Sequence, residues 1–241
     1  MRTTAACMAL AGLLAAAPAA AQRGPGSPGG RLPEPPPFHP ARFVPAVTNP
    51  WFPLAPGTTW RYAGTGSAAR ESGVVTVMDE TKTIQGVRAT VVRDLVFRNG
   101  RLVEDTRDWY AQDRDGNVWY LGESTRELRG GRVASTGGSW EAGAGGARAG
   151  IVMWADPAAH VGEAYRQEYL PGKAEDVGRV VALRPSATVG GRTFRDCVET
   201  EDTSPLEPAV RERKLYCRGA GLVRESESPR AGSELVSVET P

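Results

Sequence analysis

Asp105-Thr106-Arg107-Asp108-Trp109-Tyr110-Ala111-Gln112-Asp113, then Arg114-Asp115-Gly116, then Asn117-Val118-Trp119-Tyr120-Leu121-Gly122-Glu123-Ser124-Thr125-Arg126-Glu127-Leu128: these residues read as two strands of one β-hairpin. Two runs rich in aromatic and β-branched residues flank a three-residue loop ending in glycine, which suits a type I turn closed by a bulge. Folding the runs about that loop sets Arg107 opposite Glu123 and Glu104 opposite Arg126. It also sets Trp109 opposite Leu121, Ala111 opposite Trp119 and Tyr110 opposite Tyr120. Opposite charges and aromatic cross-strand pairs thus agree on one antiparallel register.

Strand signals recur on both sides. Ala89 to Phe97 leads to Asn99-Gly100, the signature of a type I′ hairpin. That turn pairs Phe97 with Leu102 and Val96 with Val103, and sets Asp94 against Asp105, an unfavourable pair. Thr58 to Tyr62 alternates, and Gly73 to Val77 is β-branched. Residues 136–150 read as a long Gly/Ala-rich loop around Trp140. Further strand runs are Ile151 to Trp154, Tyr165 to Tyr169, Val177 to Leu183, Arg192 to Thr200, Val210 to Cys217, Gly221 to Glu225 and Leu235 to Val238. No window carries the apolar period of a helix. The expectation is an all-β domain: a single curved antiparallel sheet of about eleven strands in meander order, forming a half-barrel or open barrel.

The ends of the chain read differently. Residues 1–21 have the form of a secretory signal peptide, with Arg2, an apolar run from Ala9 to Ala17, and Ala19-Ala20-Ala21 before Gln22. Cys7 lies inside the apolar run, too early for a lipid anchor. No later segment is apolar enough to span a membrane. Residues 22–42 are dense in Gly and Pro and read as a flexible tether, leaving 43–241 as one β domain. The location expected is secreted or periplasmic.

Charge narrows the partners. The chain has 29 Lys and Arg against 28 Asp and Glu. Loss of Arg2 with the signal peptide balances them. No basic stripe is visible, so neither nucleic acid nor an anionic membrane surface is expected as a partner. Cys197 and Cys217 remain after cleavage, and an even count in an oxidising compartment favours a disulfide. Closing that loop is worth roughly 3 kcal/mol.

Motifs for catalysis are sparse. Asp113-Arg114-Asp115-Gly116-Asn117 spaces oxygen ligands at alternate positions, but strands flank it and the glycine comes too early for a calcium loop, so it reads as a hairpin tip. Gly143 to Gly150 lacks the spacing of a phosphate loop. The two histidines are His39 and His160, too few for a multi-histidine metal site, and there is no nucleophile elbow. No metal or other cofactor is expected. Glu104, Asp105, Asp108, Asp113 and Glu123 supply carboxylates that a hydrolase would need in a defined pair. Their arginine partners give them another explanation.

Aromatic residues carry most of the functional signal, with six Trp and six Tyr. Neighbouring strand residues face opposite sides, so both faces of this hairpin carry rings: one is core, and the other is either covered by a further layer as core or lines a groove. Trp109 is assigned to the buried face. Tyr110 and Tyr120, with Asp108 and Thr106, are assigned to the wetter face and to any ligand groove. The reading is a secreted, non-enzymatic β domain that binds a small apolar or glycan-like molecule or a cell-envelope component. A carboxylate-dependent hydrolase and a purely structural envelope protein are the alternatives.

Three segments together carry a resemblance. Phe52-Pro53-Leu54-Ala55-Pro56-Gly57-Thr58-Thr59-Trp60-Arg61-Tyr62 opens the domain, Val189-Gly190-Gly191-Arg192-Thr193-Phe194-Arg195-Asp196-Cys197 lies late, and Tyr216-Cys217-Arg218-Gly219-Ala220-Gly221-Leu222-Val223 follows. From Asn49 to Glu225 the chain resembles TapB-like secreted bacterial proteins, with their FPL-x-x-G-x-x-W-x-Y start and Y-x-x-G-x-G-L-V finish. The resemblance implies a curved antiparallel sheet and no catalytic residue. Cys217 and Arg218 stand where such proteins often carry small residues or proline.

Overall fold

The computed structural model describes residues 32–228 and 231–241. The signal-peptide reading and the first part of the tether, residues 1–31, lie outside the described residues. Among the described residues there are sixteen strands rather than about eleven, the additional ones mostly short. They run β1 (Phe43–Val44), β2 (Thr59–Gly66), β3 (Glu71–Ile84), β4 (Val87–Arg98), β5 (Arg101–Asp113), β6 (Val118–Arg129), β7 (Arg132–Ser135) and β8 (Trp140–Glu141). They continue as β9 (Arg148–Met153), β10 (Ala164–Arg166), β11 (Glu168–Tyr169), β12 (Val177–Val189), β13 (Arg192–Thr203), β14 (Arg211–Cys217), β15 (Gly221–Ser228) and β16 (Ala231–Glu239).

These strands form one antiparallel sheet, thirteen of them in the order β10-β12-β13-β14-β15-β16-β2-β3-β4-β5-β6-β9-β11, with β1 paired to β5 and β7 and β8 paired to β6 beside that path. Sequence neighbours pair as hairpins along most of it, the meander that alternating strands and tight turns favour. The two ends of the sheet belong to one short segment. Ala164–Arg166 pairs with β12, and after Gln167 the chain continues as Glu168–Tyr169, which pairs with β9. The sheet therefore curls into a nearly closed barrel whose seam is residues 164–169. At Gly150 in β9 an added Cβ would run into the Arg166 carbonyl oxygen, so the seam needs a residue without a side chain there.

Bulges bend the long strands and alter two of the expected registers. In the β5–β6 hairpin Tyr110 faces Tyr120 and Ala111 faces Trp119, as the sequence predicts. A register shift then places Trp109 opposite Gly122, Asp108 opposite Glu123 and Asp105 opposite Arg126. The predicted Arg107–Glu123, Glu104–Arg126 and Trp109–Leu121 pairs are each displaced by one. Gly122 makes this possible, with φ +132° and β8 so close that a Cβ would meet the Trp140 carbonyl oxygen. In the β4–β5 hairpin Phe97 faces Leu102, but a second bulge sets Asp94 opposite Thr106. The bulge thereby removes the Asp94–Asp105 clash that the regular register contains.

Asp105 lies on the outer surface, held by Arg93 at 3.0 Å and Arg126 at 2.5 Å. Trp109 also points outward and is nonetheless 7% exposed. Lys82 Nζ sits 3.5 Å from the centre of its ring and pairs with Glu141 at 2.6 Å. Cys197 and Cys217 face each other across β13 and β14 and form a disulfide with Cα atoms 4.0 Å apart.

Two segments outside the sheet hold it together. Residues 45–57 cross the mouth at which β5, β9 and β14 end. There the Asn49 Nδ2 donates to the carbonyls of Gly116 and Trp154, the Trp51 Nε1 to Asp196, and the Gly219 N–H to Pro50. Phe52 and Leu54 from this plug are buried in the core. Residues 32–42 were expected to belong to a free tether, and the structure corrects this. Phe38 packs edge-on against Trp119 at 5.7 Å, Pro35 is buried, and Arg148 and Arg166 donate to the carbonyls of Pro35 and Pro33. Proline stiffness lowers the entropy cost of laying this strap over the seam.

Candidate functional site

The interior of the barrel has two halves. Near the plugged mouth it is aromatic and aliphatic: Tyr110 stacks on Tyr120 at 5.1 Å, with Phe52 edge-on to Tyr110 at 5.1 Å and Trp140 edge-on to Tyr120 at 5.3 Å. Toward the opposite mouth, where β2 and β13 end, the same strands present carboxyl groups. The alternation that sends Tyr110 inward also sends Asp108, Thr106 and Glu104 inward.

Tyr110, Tyr120, Asp108 and Thr106 do share one face and come together. That face is the inside of the barrel, not a wet surface, and both tyrosine rings are 0% exposed. The expected assignment of a dry Trp109 and a wetter Tyr110 is therefore corrected: both are buried, on opposite sides of the sheet. The physical reason is closure, which converts the concave face of an open sheet into a filled core. Phe52 and Trp140 occupy the space a ligand would take.

The first polar cluster spans β4, β5 and β6. Tyr120 Oη donates to Asp108 Oδ1 at 2.7 Å. Thr106 Oγ1 lies 3.1 Å from Glu104 Oε1 and 3.1 Å from Thr125 Oγ1, and Thr125 donates to Glu123 Oε2 at 3.1 Å. Asp94 lies among them with Oδ1 buried and unpartnered among the described residues. Burial, reinforced by Glu104, pushes the Asp108 carboxyl up to about 7, against the hydrogen bond from Tyr120. Burial likewise pushes Glu104 up to about 7. Asp94 and Glu123 are raised well above the usual carboxylate range, chiefly by burial and then by neighbouring carboxylates. Like charges facing one another indoors are tolerated only if protons neutralise them.

A second cluster surrounds Lys214 on β14, which is 1% exposed at its side chain. Its Nζ lies 2.8 Å from Asp202 Oδ2 and 3.2 Å from Glu212 Oε2. Gln167 at the seam donates to the other Asp202 oxygen, Oδ1, at 3.2 Å. Burial opposes the charge on Lys214, but Asp202, Glu212 and Glu225 outweigh it and hold the amine as an ammonium. Glu225 and Glu168 are raised well above the usual range by burial, and Asp176 is raised to about 7. A cavity of about 30 Å³ adjoins this cluster, lined by Asp176, Asp202, Thr203, Ser204, Glu207 and Glu212 among others. Among the described residues no three His, Cys, Asp or Glu side chains converge to hold a metal ion.

Sequence reasoning missed the lysine cluster, although a signal was there. Pairing Cys197 with Cys217 fixes a register that sets Thr200 opposite Lys214 and Asp202 opposite Glu212, which is the pairing observed. The other carboxylates singled out from sequence do not form a site. Asp105 is clamped on the outer face, and Asp113 accepts from the Asp115 and Asn117 N–H groups and from Trp119 Nε1 at the hairpin tip. On the outside of the acidic mouth lies an open groove of about 460 Å³, bordered by Arg211, Arg213 and Arg224, by Glu201 and Glu227, and by Thr65 and Ser226.

Among the described residues no helix is long and apolar enough to cross a membrane. No protein-family model matches the chain, and no curated protein matches it. None of the comparisons bears on the TapB-like resemblance. Two solved structures are similar in shape: a Bacteroides fragilis protein described as exported, with a YmcC-like fold, and a Parabacteroides distasonis protein described as a lipoprotein, with TM-scores of 0.41 each, identities of 11% and 12%, and coverage of 78% of this chain and 98% of theirs.

Proposed function

We propose that this chain is an exported, non-catalytic β domain that meets a polar, glycan-like component of the cell envelope on the outside of its barrel. The reading rests first on the sealing of the interior. Asp108 and Glu123 are 1% and 2% exposed, so the carboxyl groups a hydrolase would use are out of reach of an external substrate. Export is supported by the signal-peptide pattern of residues 1–21 and by the Cys197–Cys217 disulfide. The groove at the acidic mouth falls within the roughly 300–1,000 Å³ of small-molecule sites. Its guanidinium and carboxylate groups offer donors and acceptors to hydroxyl groups, which suits a sugar better than an apolar molecule.

Titration of the purified protein with soluble peptidoglycan fragments and with neutral gluco-oligosaccharides tests this by calorimetry. Saturable binding to one of them is expected, weakened about tenfold, or 1.4 kcal/mol, by Arg224→Ala. Prolonged incubation leaves the sugars intact. Release of shortened products would favour the hydrolase, and no binding to either probe would leave the structural role.

A further inference from the structure

We propose that Lys214 and Asp202 condense into an amide, an internal cross-link between β13 and β14 that the folded barrel itself forms. The geometry is that of a nucleophile held against its acyl partner. Lys214 Nζ stands 2.8 Å from Asp202 Oδ2, both side chains are almost fully buried, and they reach each other diagonally across neighbouring strands. Gln167 Nε2 donates to Oδ1, the oxygen that stays as the amide carbonyl. Glu212 Oε2, 3.2 Å from Nζ, is placed to move a proton, with the Glu225 carboxyl of β15 close to it. The adjoining cavity of about 30 Å³ is lined by both Asp202 and Glu212. That exceeds the roughly 10–15 Å³ a single water needs.

The step balances without any other reactant. The ammonium passes one proton to Asp202 Oδ2, giving a neutral amine beside a neutral acid, a minor form because the surrounding carboxylates favour the ammonium, and it is from this form that attack proceeds. Nζ attacks Cγ while Gln167 meets the charge growing on Oδ1. Glu212 accepts a second proton from Nζ and returns it to the departing hydroxyl. The Nζ–Cγ bond forms, the Cγ–Oδ2 bond breaks, and Oδ2 leaves as water. Of the three ammonium protons one remains on the amide nitrogen and two leave in the water. Nothing is oxidised or reduced, and a buried ion pair becomes a neutral amide. The cross-link and the Cys197–Cys217 disulfide then tie the same two strands on opposite faces of the sheet.

The test is the mass of the full chain expressed in a secreting host, read after reduction and denaturation with its N-terminus fixed by peptide mapping. The wild-type protein is expected one water, about 18 Da, below its sequence mass, and a digest should yield a branched peptide joining Asp202 to Lys214. Lys214→Arg and Asp202→Ala should each restore the full mass. Glu212→Gln, checked for a native circular dichroism spectrum and an intact disulfide, should lower the cross-linked fraction about tenfold. Because the reading on wild type does not depend on any variant folding, it decides alone. Wild-type protein at full sequence mass overturns the proposal, as does a deficit that survives Lys214→Arg.

Discussion

Asp94 shows at the scale of one side chain how this barrel departs from an ordinary core. It is 5% exposed, its Oδ1 has no partner among the described residues, and Asp108 and Glu104 add their charge to the burial that keeps it protonated. An amide in its place would remove the ionisation penalty without changing shape. Asp94→Asn is therefore expected to stabilise the protein by roughly 1–3 kcal/mol at pH 8 and to change little at pH 4, measured by urea unfolding. Equal destabilisation at both pH values would mean that Asp94 makes a contact the amide cannot keep. Tyr110 is the second telling residue. Alternation along β5 made it legible that Tyr110 and Trp109 oppose each other, but not which side was inside, since aromatic and polar residues occur on both. With Tyr110 stacked on Tyr120 and touched by Phe52, Tyr110→Ala should cost roughly 3–5 kcal/mol, as much as Trp109→Ala. A small loss at Tyr110 beside a large one at Trp109 would restore the original assignment of faces.

Among the elements, hairpins could be read and closure could not. The Asn99-Gly100 and Asp115-Gly116 turns announced their strands, and the aromatic pairs Tyr110–Tyr120 and Ala111–Trp119 fixed a register that holds up to the bulge. The bulge itself was hidden because Gly122 reads in sequence as one more small strand residue, whereas its φ of +132° is set by β8 packing against it. The seam was hidden because residues 164–169 are too short for a period to show, and their partners lie far away in the chain. The acid-lysine cluster would have followed from extending the cysteine register. Two expectations belong at this scale. Gly150→Val should open the seam, with amide exchange rising in β9 and in residues 164–169 well before the β3–β4–β5 strands are affected. Uniform protection would show that the Arg166 backbone can move aside. Replacing both Cys197 and Cys217 by serine should cost roughly 3 kcal/mol in urea unfolding, and appreciably less if a Lys214–Asp202 amide already closes the shorter loop inside it.

As a whole, the molecule is a barrel with an apolar half under its plug and an acidic half at the other mouth, and this division governs how it responds to pH. Burial raises the carboxyl groups of Glu104, Asp108 and Asp176 to about 7, and raises Asp94, Glu123, Glu168 and Glu225 well above the usual range. The unfolded chain ionises the same groups near 4. Between those values the folded state holds more protons, so stability is complete below about pH 4 and falls as pH rises through 7. Two such groups acting independently would cost about 3 kcal/mol for each pH unit, against a total of about 5–15 kcal/mol for a domain. The ion pairs on the outside, such as Arg42–Asp115 and Arg184–Glu199, are exposed and contribute too little to reverse that slope. Thermal melts should accordingly show a higher Tm at pH 5 than at pH 8, by about 5 °C or more. Asp94→Asn should flatten the dependence by removing one titrating group. A Tm that is level or rises from pH 5 to pH 8 would mean that the interior carboxyl groups are neutralised by something other than protons.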